Sequence, residues 1–329
     1  MKQMLNVGVI GIGMMGQNHA RVYSEIANLV GLADQNEKVL RRFSKRFKVR
    51  GYEDYNELLE SPDLDAVSVC TPTTTHFKIV NDAISAKKHV LVEKPMGGEL
   101  EKANKLVANA KKKGVVLAVG YIERYNPIVG FTKSLIEKGQ FGDVISISSR
   151  RVSSFPSRIK DVGVILDLGI HDIDVIRYLL GSKVKSVYSL AGKPNEAEFE
   201  DHANILLEFE NEVLAHVEVN WLTPMKVRRV SLTCSKNFVE MDYINQILQV
   251  SSSTIKKIDY GNLYRIPQEY SERKIQIERS EPLKNELTDF LSAIEFDREP
   301  LVSGEEGVET LKIAHAAIRS SVSGKKVTI

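Results

Sequence analysis

A strand, a glycine turn and a helix open this chain. Val7 to Tyr23 reads VGVIGIGMMGQNHARVY, with Gly11, Gly13 and Gly16 in the pattern G-x-G-x-x-G. Leu5 to Ile10 ahead of it is a short apolar strand, and Ala20, Tyr23 and Ala27 follow at helical spacing. In that context the motif points to a βαβ unit that binds a dinucleotide. Gly11 permits the tight turn out of the strand. Gly13 lets the backbone approach a pyrophosphate seated on the helix N-terminus, where N–H groups and the macrodipole favour an anion. Gly16 lets the helix pack closely on the strand. Ile12, Met14 and Met15 lie inside the same turn and share its backbone contacts. The alternative is a glycine-rich turn with no ligand.

The next apolar run, Leu29 to Ala33, ends in Asp34, 18 residues past Gly16. An acidic residue at about this distance accepts a hydrogen bond from the adenosine ribose. Gln35 and Asn36 follow, with no arginine to meet a 2′-phosphate. The expected cofactor is therefore NAD rather than NADP.

The 329 residues are enough for two domains of ordinary size. A 43% apolar and 27% charged composition fits a soluble globular protein. A formal net charge of +2 gives no broad electrostatic footprint for nucleic acid. Met1-Lys2-Gln3 leads straight into the first strand, and no apolar run approaches a membrane span, so a cytoplasmic protein without membrane contact is expected. Cys70 and Cys234 lie in apolar segments without a ligand partner at metal spacing, so two buried free thiols and no metal are expected.

Apolar runs at Leu5–Ile10, Leu29–Ala33, Ala66–Cys70, His89–Val92 and Val115–Val119 alternate with helical patterns at Met14–Ala27, Glu37–Phe47, Tyr55–Glu60, His76–Ala86 and Leu100–Lys112. That alternation predicts an α/β, doubly wound parallel sheet of Rossmann type over residues 1–120. After Gly120 the pattern changes. A helix near Ile128–Lys138 and a strand at Val144–Val152 precede extended runs from Val184 to Ser251, with hairpin turns at Glu210-Asn211 and Ser235-Lys236-Asn237. Residues 121–329 therefore read as a second, α+β domain with a large, mainly antiparallel open sheet, one face of which is free to pack on a partner. Its closing helix is free to pack back on the first domain.

Three further segments carry chemistry. Ligands in doubly wound sheets bind outside the carboxyl ends of the strands. Thr71 and His76 follow one such end and are candidates for the nicotinamide side, although a His there is often a capping or surface residue. Glu93-Lys94-Pro95 follows another, with Lys94 as a fixed cation; cis and trans both stay open at Pro95. Asp167-Leu168-Gly169-Ile170-His171-Asp172-Ile173-Asp174 enters a helix. If the helix includes Asp167, it shares a face with His171; a carboxylate there fixes the imidazole tautomer. The plainer alternative makes Asp172 and Asp174 first-turn helix acids and His171 a packed histidine.

Taken together, the glycine motif, Glu93-Lys94-Pro95, the segment Asp167–Asp174 and the C-terminal run GEEGVETLKIAHAAIRSSVSGKKV resemble the glucose–fructose oxidoreductase/inositol dehydrogenase (Gfo/Idh/MocA) family. The resemblance implies a sugar or polyol dehydrogenase, a homodimer or homotetramer, and Lys94, Asp167 and His171 as the catalytic group. Gly120–Pro127 and Ser149-Arg150-Arg151…Pro156-Ser157-Arg158 look most like members acting on UDP-linked amino sugars, in particular UDP-N-acetylglucosamine 3-dehydrogenases. Substrate binding would then fall to Lys94, Asn126, Arg151, Arg158, Asp167 and His171. Arg124 joins the cofactor contacts with Glu93 and Lys94. Arginine forks suit a diphosphate, and Arg150, Arg151, Arg158 and Lys160 crowd the stretch before Asp167; the alternative is surface pairing. The family's richer glycine run is reduced here to Asp161-Val162-Gly163. Rival readings are a myo-inositol or free-sugar dehydrogenase and an NAD-binding sensor or assembly subunit without turnover.

Overall fold

The computed structural model describes residues 4–155, 161–193, 198–255 and 268–329. It consists of two units, Met1–Ile122 with Glu281–Lys312, and Glu123–Ser280 with Ile313–Ile329. Among the described residues, no helix is long and apolar enough to cross a membrane.

The first unit holds strands β1 (Asn6–Ile10), β2 (Asn28–Ala33), β3 (Arg50–Tyr52), β4 (Ala66–Val69), β5 (His89–Glu93) and β6 (Leu117–Gly120). They form one parallel sheet in the order β3-β2-β1-β4-β5-β6. The order reverses between β1 and β4, the switch point at which such sheets bind ligands. Helices α1 (Met14–Ile26), α2 (Glu37–Phe47), α3 (Tyr55–Leu59), α4 (Thr73–Ser85) and α5 (Leu100–Lys113) make the crossovers. β4 is buried along its whole length, as expected where helices cover both faces. β3 was not anticipated: Arg50-Gly51-Tyr52 buries only its tyrosine and shows no apolar run. Lys111–Lys113 closes α5 at Gly114, whose φ of +65° takes the left-handed cap.

The second unit contains α6 (Pro127–Glu137), α7 (Ile170–Leu180) and the strands β7 (Val144–Ser154), β8 (Val184–Gly192), β9 (His202–Phe209), β10 (Leu214–Asn220), β11 (Leu222–Cys234), β12 (Phe238–Asp242), β13 (Ile247–Ile255), β14 (Gln268–Gln276) and β15 (Val327–Thr328). The nine strands form one sheet in the order β14-β13-β12-β11-β7-β10-β9-β8-β15. All neighbours are antiparallel except β7 and β10. Period-2 alternation buries Ala203, Ile205, Leu207 and Phe209 of β9 on one face and leaves Leu206 on the other. α7 packs on β7 and β10.

A later segment, Glu281–Lys312, also falls in the first unit. α8 (Pro282–Glu295) returns to the first unit, where Leu283, Leu287 and Phe290 share a core with Val22, Tyr23 and Ala27 of the α1 segment. α9 (Gly304–Ser323) starts in the first unit and ends in the second. Of the two thiols, Cys234 is buried while Cys70 is partly exposed. Burial pushes Cys234 up to about 11.

Candidate functional site

The three glycines of the first turn differ in what surrounds them. Gly11 sits at φ +87°, and a Cβ there would meet Thr71 Cγ2 at 2.7 Å and the Cys70 carbonyl oxygen at 2.9 Å. A Cβ on Gly16 would lie 1.8 Å from the Gly11 carbonyl oxygen, so α1 packs on the turn only with glycine there. At Gly13 nothing lies within 4 Å. Gly13 is also the N-cap of α1 and supplies no side-chain cap. Open space over the first N–H groups of a 13-residue helix fits a pyrophosphate. Met14 is exposed, whereas Met15 packs against the core.

Asp34 stands at the end of β2 with its carboxylate already oriented. The Ile12 N–H donates to Oδ2 at 2.6 Å and the Asn36 N–H donates to Oδ1 at 2.7 Å. Ile12 itself is 1% exposed, so its side chain belongs to the core and its N–H serves Asp34. The fixed carboxylate suits a ribose diol and would repel a 2′-phosphate.

The strand ends after β4 and β5 are bound to each other. His76 is buried within α4, not at its start, because the helix begins at Thr73. Its Nδ1 lies 2.9 Å from the Pro95 carbonyl oxygen and its Nε2 lies 2.8 Å from that of Thr71. The ring thus lies between two carbonyl oxygens, donates to one of them through its single N–H in the neutral form, and straps the two loops together. Glu93 is held likewise. It is 9% exposed, and His19 Nε2 on α1 lies 3.0 Å from its Oε1. The carboxylate therefore points into the layer between strand and helix. Thr71 Oγ1 accepts from Thr75 Oγ1 at 2.8 Å. Lys94 follows Glu93, half-buried, and the Lys94–Pro95 peptide is cis.

In the second unit a helical run begins at Val164 and passes through a π-turn, Ile165–Gly169, before α7. Asp167 lies in this wide turn and His171 follows in the first turn of α7, so one continuous run carries both. Single π-turns of this kind concentrate at functional sites. Glu200 sets where the run starts. Its carbonyl accepts the Val164 N–H at 3.0 Å and its Oε1 accepts the Ile165 N–H at 3.1 Å. A Cβ on Gly163 would meet that carboxylate at 2.2 Å, so a larger residue there would have to push it off the Ile165 N–H.

Asp172 and Asp174 are not solvated helix acids; they are 1% and 0% exposed. Asp172 accepts from Arg151 Nε at 2.6 Å and from Nη2 at 3.4 Å. Arg151 Nη1 donates to Glu123 Oε1 at 2.8 Å, and Arg228 Nη1 donates to the same oxygen at 2.9 Å. Asp174 accepts from Arg124 Nε at 3.0 Å and from its Nη2. Burial alone would lower the Arg151 pKa, but Asp172 and Glu123 raise it further than burial lowers it. Burial likewise raises Glu123, and Arg151 with Arg228 brings it below the usual carboxylate range.

These pairs correct three expectations. Arg151 is 1% exposed and committed to Asp172 and Glu123, so no fork remains for a diphosphate. Arg124, 4% exposed, is engaged by Asp174. Asn126 is 3% exposed; its oxygen caps α6 and its Nδ2 donates to the Tyr243 carbonyl at 3.2 Å. Arg150 reaches Glu218 at 3.1 Å on the opposite sheet face. Arg158 and Lys160 lie outside the described residues. His19, Glu123, Glu200 and Arg228 take part in these contacts without standing among the candidate residues of the sequence. For Arg228 a signal existed: it shares the period-2 face of Val230 and Leu232, an apolar face on which a cation needs a partner.

Residues 5–121 match the oxidoreductase family with an NAD-binding Rossmann fold (GFO/IDH/MocA), and residues 131–240 match the GFO/IDH/MocA C-terminal domain. The chain is 28% identical over 310 residues to UDP-N-acetylglucosamine 3-dehydrogenase of Acidithiobacillus ferrooxidans, covering 94% of this chain and 95% of the relative. The solved structure of that organism's enzyme superposes with a TM-score of 0.87 at 27% identity, covering 98% and 99% of the two chains. Myo-inositol 2-dehydrogenase of Thermotoga maritima is 29% identical over 343 residues, covering 99% and 98%. Levoglucosan dehydrogenase, solved with NADH and levoglucosan, shares the fold at 21% identity with a TM-score of 0.88, covering 99% and 100%. With its glycine cradle, oriented Asp34 and full-length likeness to these dehydrogenases, the chain belongs to the GFO/IDH/MocA family of NAD-dependent oxidoreductases.

Proposed function

We propose that the protein oxidises a secondary hydroxyl, at C3, of a UDP-linked amino sugar such as UDP-N-acetylglucosamine. The observation that carries the substrate choice is the full-length likeness to the Acidithiobacillus enzyme. Gly11, Gly13, Gly16 and Asp34 hold NAD, whose nicotinamide, when bound, accepts the hydride from the oxidised carbon. His171 takes the hydroxyl proton, a task that suits an imidazole because its ordinary pKa lies near neutrality. Lys94 donates a hydrogen bond to the same oxygen and stabilises the charge that develops there. Asp167 orients His171 or binds a neighbouring hydroxyl. A second reading, a myo-inositol dehydrogenase, draws on the Thermotoga relative at nearly the same identity.

NADH formation measured by absorbance separates the two. The substrates are UDP-N-acetylglucosamine, UDP-N-acetylglucosaminuronate, UDP-glucose, myo-inositol and glucose; a separate arm adds 2-oxoglutarate to reoxidise tightly held NADH and is read by the 2-hydroxyglutarate formed. Turnover confined to UDP-N-acetylglucosamine is expected. Comparable rates with inositol or glucose would move the protein to the polyol branch.

The same proposal gives the open face of the nine-stranded sheet to a second copy of the chain. Leu190, Leu206, Leu214 and Phe238 are 58%, 51%, 59% and 41% exposed there. Sedimentation at micromolar concentration is expected to show a homodimer or homotetramer, and Leu206→Asp to weaken it. A monomer in both cases would remove the sheet face from assembly.

A further inference from the structure

The buried ion pairs of the second unit end in an imbalance at the surface. Glu123 Oε1 is shared by Arg151 at 2.8 Å and Arg228 at 2.9 Å, and Asp172 holds the other side of Arg151. Arg228 pairs in register with Arg151 across β11 and β7, so both lie on the sheet face that carries α7. Arg151 is 1% exposed, but the Arg228 side chain is 29% exposed. Lys226, two residues earlier, is exposed. It lies where the register of β11 shifts, between Leu222 and Val227, and such irregularities re-aim side chains. Arg151 and Arg228 pair with the two carboxylates, Glu123 and Asp172, and Lys226, two residues from Arg228 in β11, adds a third cation. Like-charge repulsion is felt at Lys226: Arg228 beside it, then desolvation, then Arg151 hold its pKa below the usual lysine range, against the pull of Glu123.

This excess of positive charge is linked through buried ion pairs to α7, the helix that carries the proposed base. Asp172, at the far side of Arg151, is the residue after His171 on α7. The chain of contacts from the surface inward is Lys226 and Arg228, Glu123, Arg151, Asp172. An uncharged polyol would leave the repulsion between Lys226 and Arg228 unrelieved. A diphosphate relieves it, and an arginine with a partly exposed fork near an exposed ammonium suits its two phosphate groups.

We propose that Lys226 and Arg228 are the specificity-determining cations that hold the diphosphate of the sugar-nucleotide substrate, in place of Arg150 and Arg151. The assignment rests on the UDP-sugar reading above and locates it on named residues. The probe is UDP itself, titrated calorimetrically into the NAD-saturated protein, with NAD affinity measured in parallel. UDP is expected to bind the wild type and to weaken steeply with added salt. Lys226→Ala is expected to weaken UDP at least tenfold, Lys226→Arg to restore most of it, and Arg228→Lys to give an intermediate loss. The affinity for NAD stays as in the wild type. Because Lys226 is exposed, its replacement leaves the fold intact, and circular dichroism checks that. Wild type and Lys226→Ala binding UDP equally would overturn the placement and leave the UDP-sugar reading standing. A wild type that fails to bind UDP would overturn that reading, and this assignment with it. A loss of NAD affinity in Lys226→Ala would give the cations to the cofactor's own pyrophosphate and overturn the assignment.

Discussion

Lys94→Ala is expected to lower kcat by about 10²–10⁴-fold, the range for losing a positioned proton-handling or oxyanion-stabilising group. NAD affinity should change little. The reason lies in what holds the backbone on either side. Glu93 is tied to His19 at 3.0 Å. The Pro95 carbonyl accepts from the Gly97 N–H at 2.8 Å and lies 2.9 Å from His76 Nδ1. These bonds do not involve the Lys94 ammonium, so truncation removes the charge and leaves the frame. The cradle for the pyrophosphate is built by Gly11, Gly13 and Gly16, which Lys94 does not form. Steady-state rates with the best substrate of the panel, set against calorimetric NAD titration, check the split. Equal losses in turnover and in NAD affinity would place Lys94 in cofactor binding and leave the proton chemistry to His171.

What could be read from the sequence was mostly what the backbone does. The G-x-G-x-x-G turn is legible because each glycine answers a steric demand local to the chain, and Gly16 against the Gly11 carbonyl shows that demand directly. The parallel sheet follows from alternating apolar runs, and only β3, three residues long, escaped. Side-chain direction was far less legible. Arg150 and Arg151 are neighbours in β7 and therefore point to opposite faces. Which of them faces the interior depends on register with β10 and β11, strands more than 60 residues away. A sequence displays two arginines before a catalytic motif and offers no means of seeing that one is enclosed by Asp172 and Glu123. The surroundings of His76 and Asn126 were hidden for a related reason: carbonyls of Thr71, Pro95 and Tyr243 are among their partners, and carbonyls carry no residue signature. The return of Glu281–Lys312 to the first unit is a tertiary fact too, written in an α8 face that would suit any apolar surface.

Arg151→Met is expected to destabilise the protein by about 3–5 kcal/mol, since it leaves buried carboxylates without their cation. Asp172 is 1% exposed and Glu123 6%. Glu123 keeps Arg228, so the heavier loss falls on Asp172, whose guanidinium contacts at 2.6 and 3.4 Å both come from Arg151. In the Arg151→Met protein that carboxylate has to take up a proton or draw in water. For a unit of this size the melting temperature should fall by roughly 6–20 °C, at about 2–4 °C per kcal/mol. The double variant Arg151→Met/Asp172→Asn removes the orphaned charge and should cost less than the sum of the two single changes, because the residues share one interaction. The acid limb adds an independent check. Glu123 is held below its ordinary pKa by Arg151 and Arg228 against its own burial. A depressed carboxylate contributes stability that is complete above its unfolded pKa and fades as pH falls through the folded one. Arg151→Met reduces that depression, so its stability should fall less between neutral and acid pH than the wild type's. Urea melts at a series of pH values measure both effects. A single variant as stable as the wild type would mean that the network is solvated, and the burial that took Arg151 out of the substrate site would have to be reconsidered.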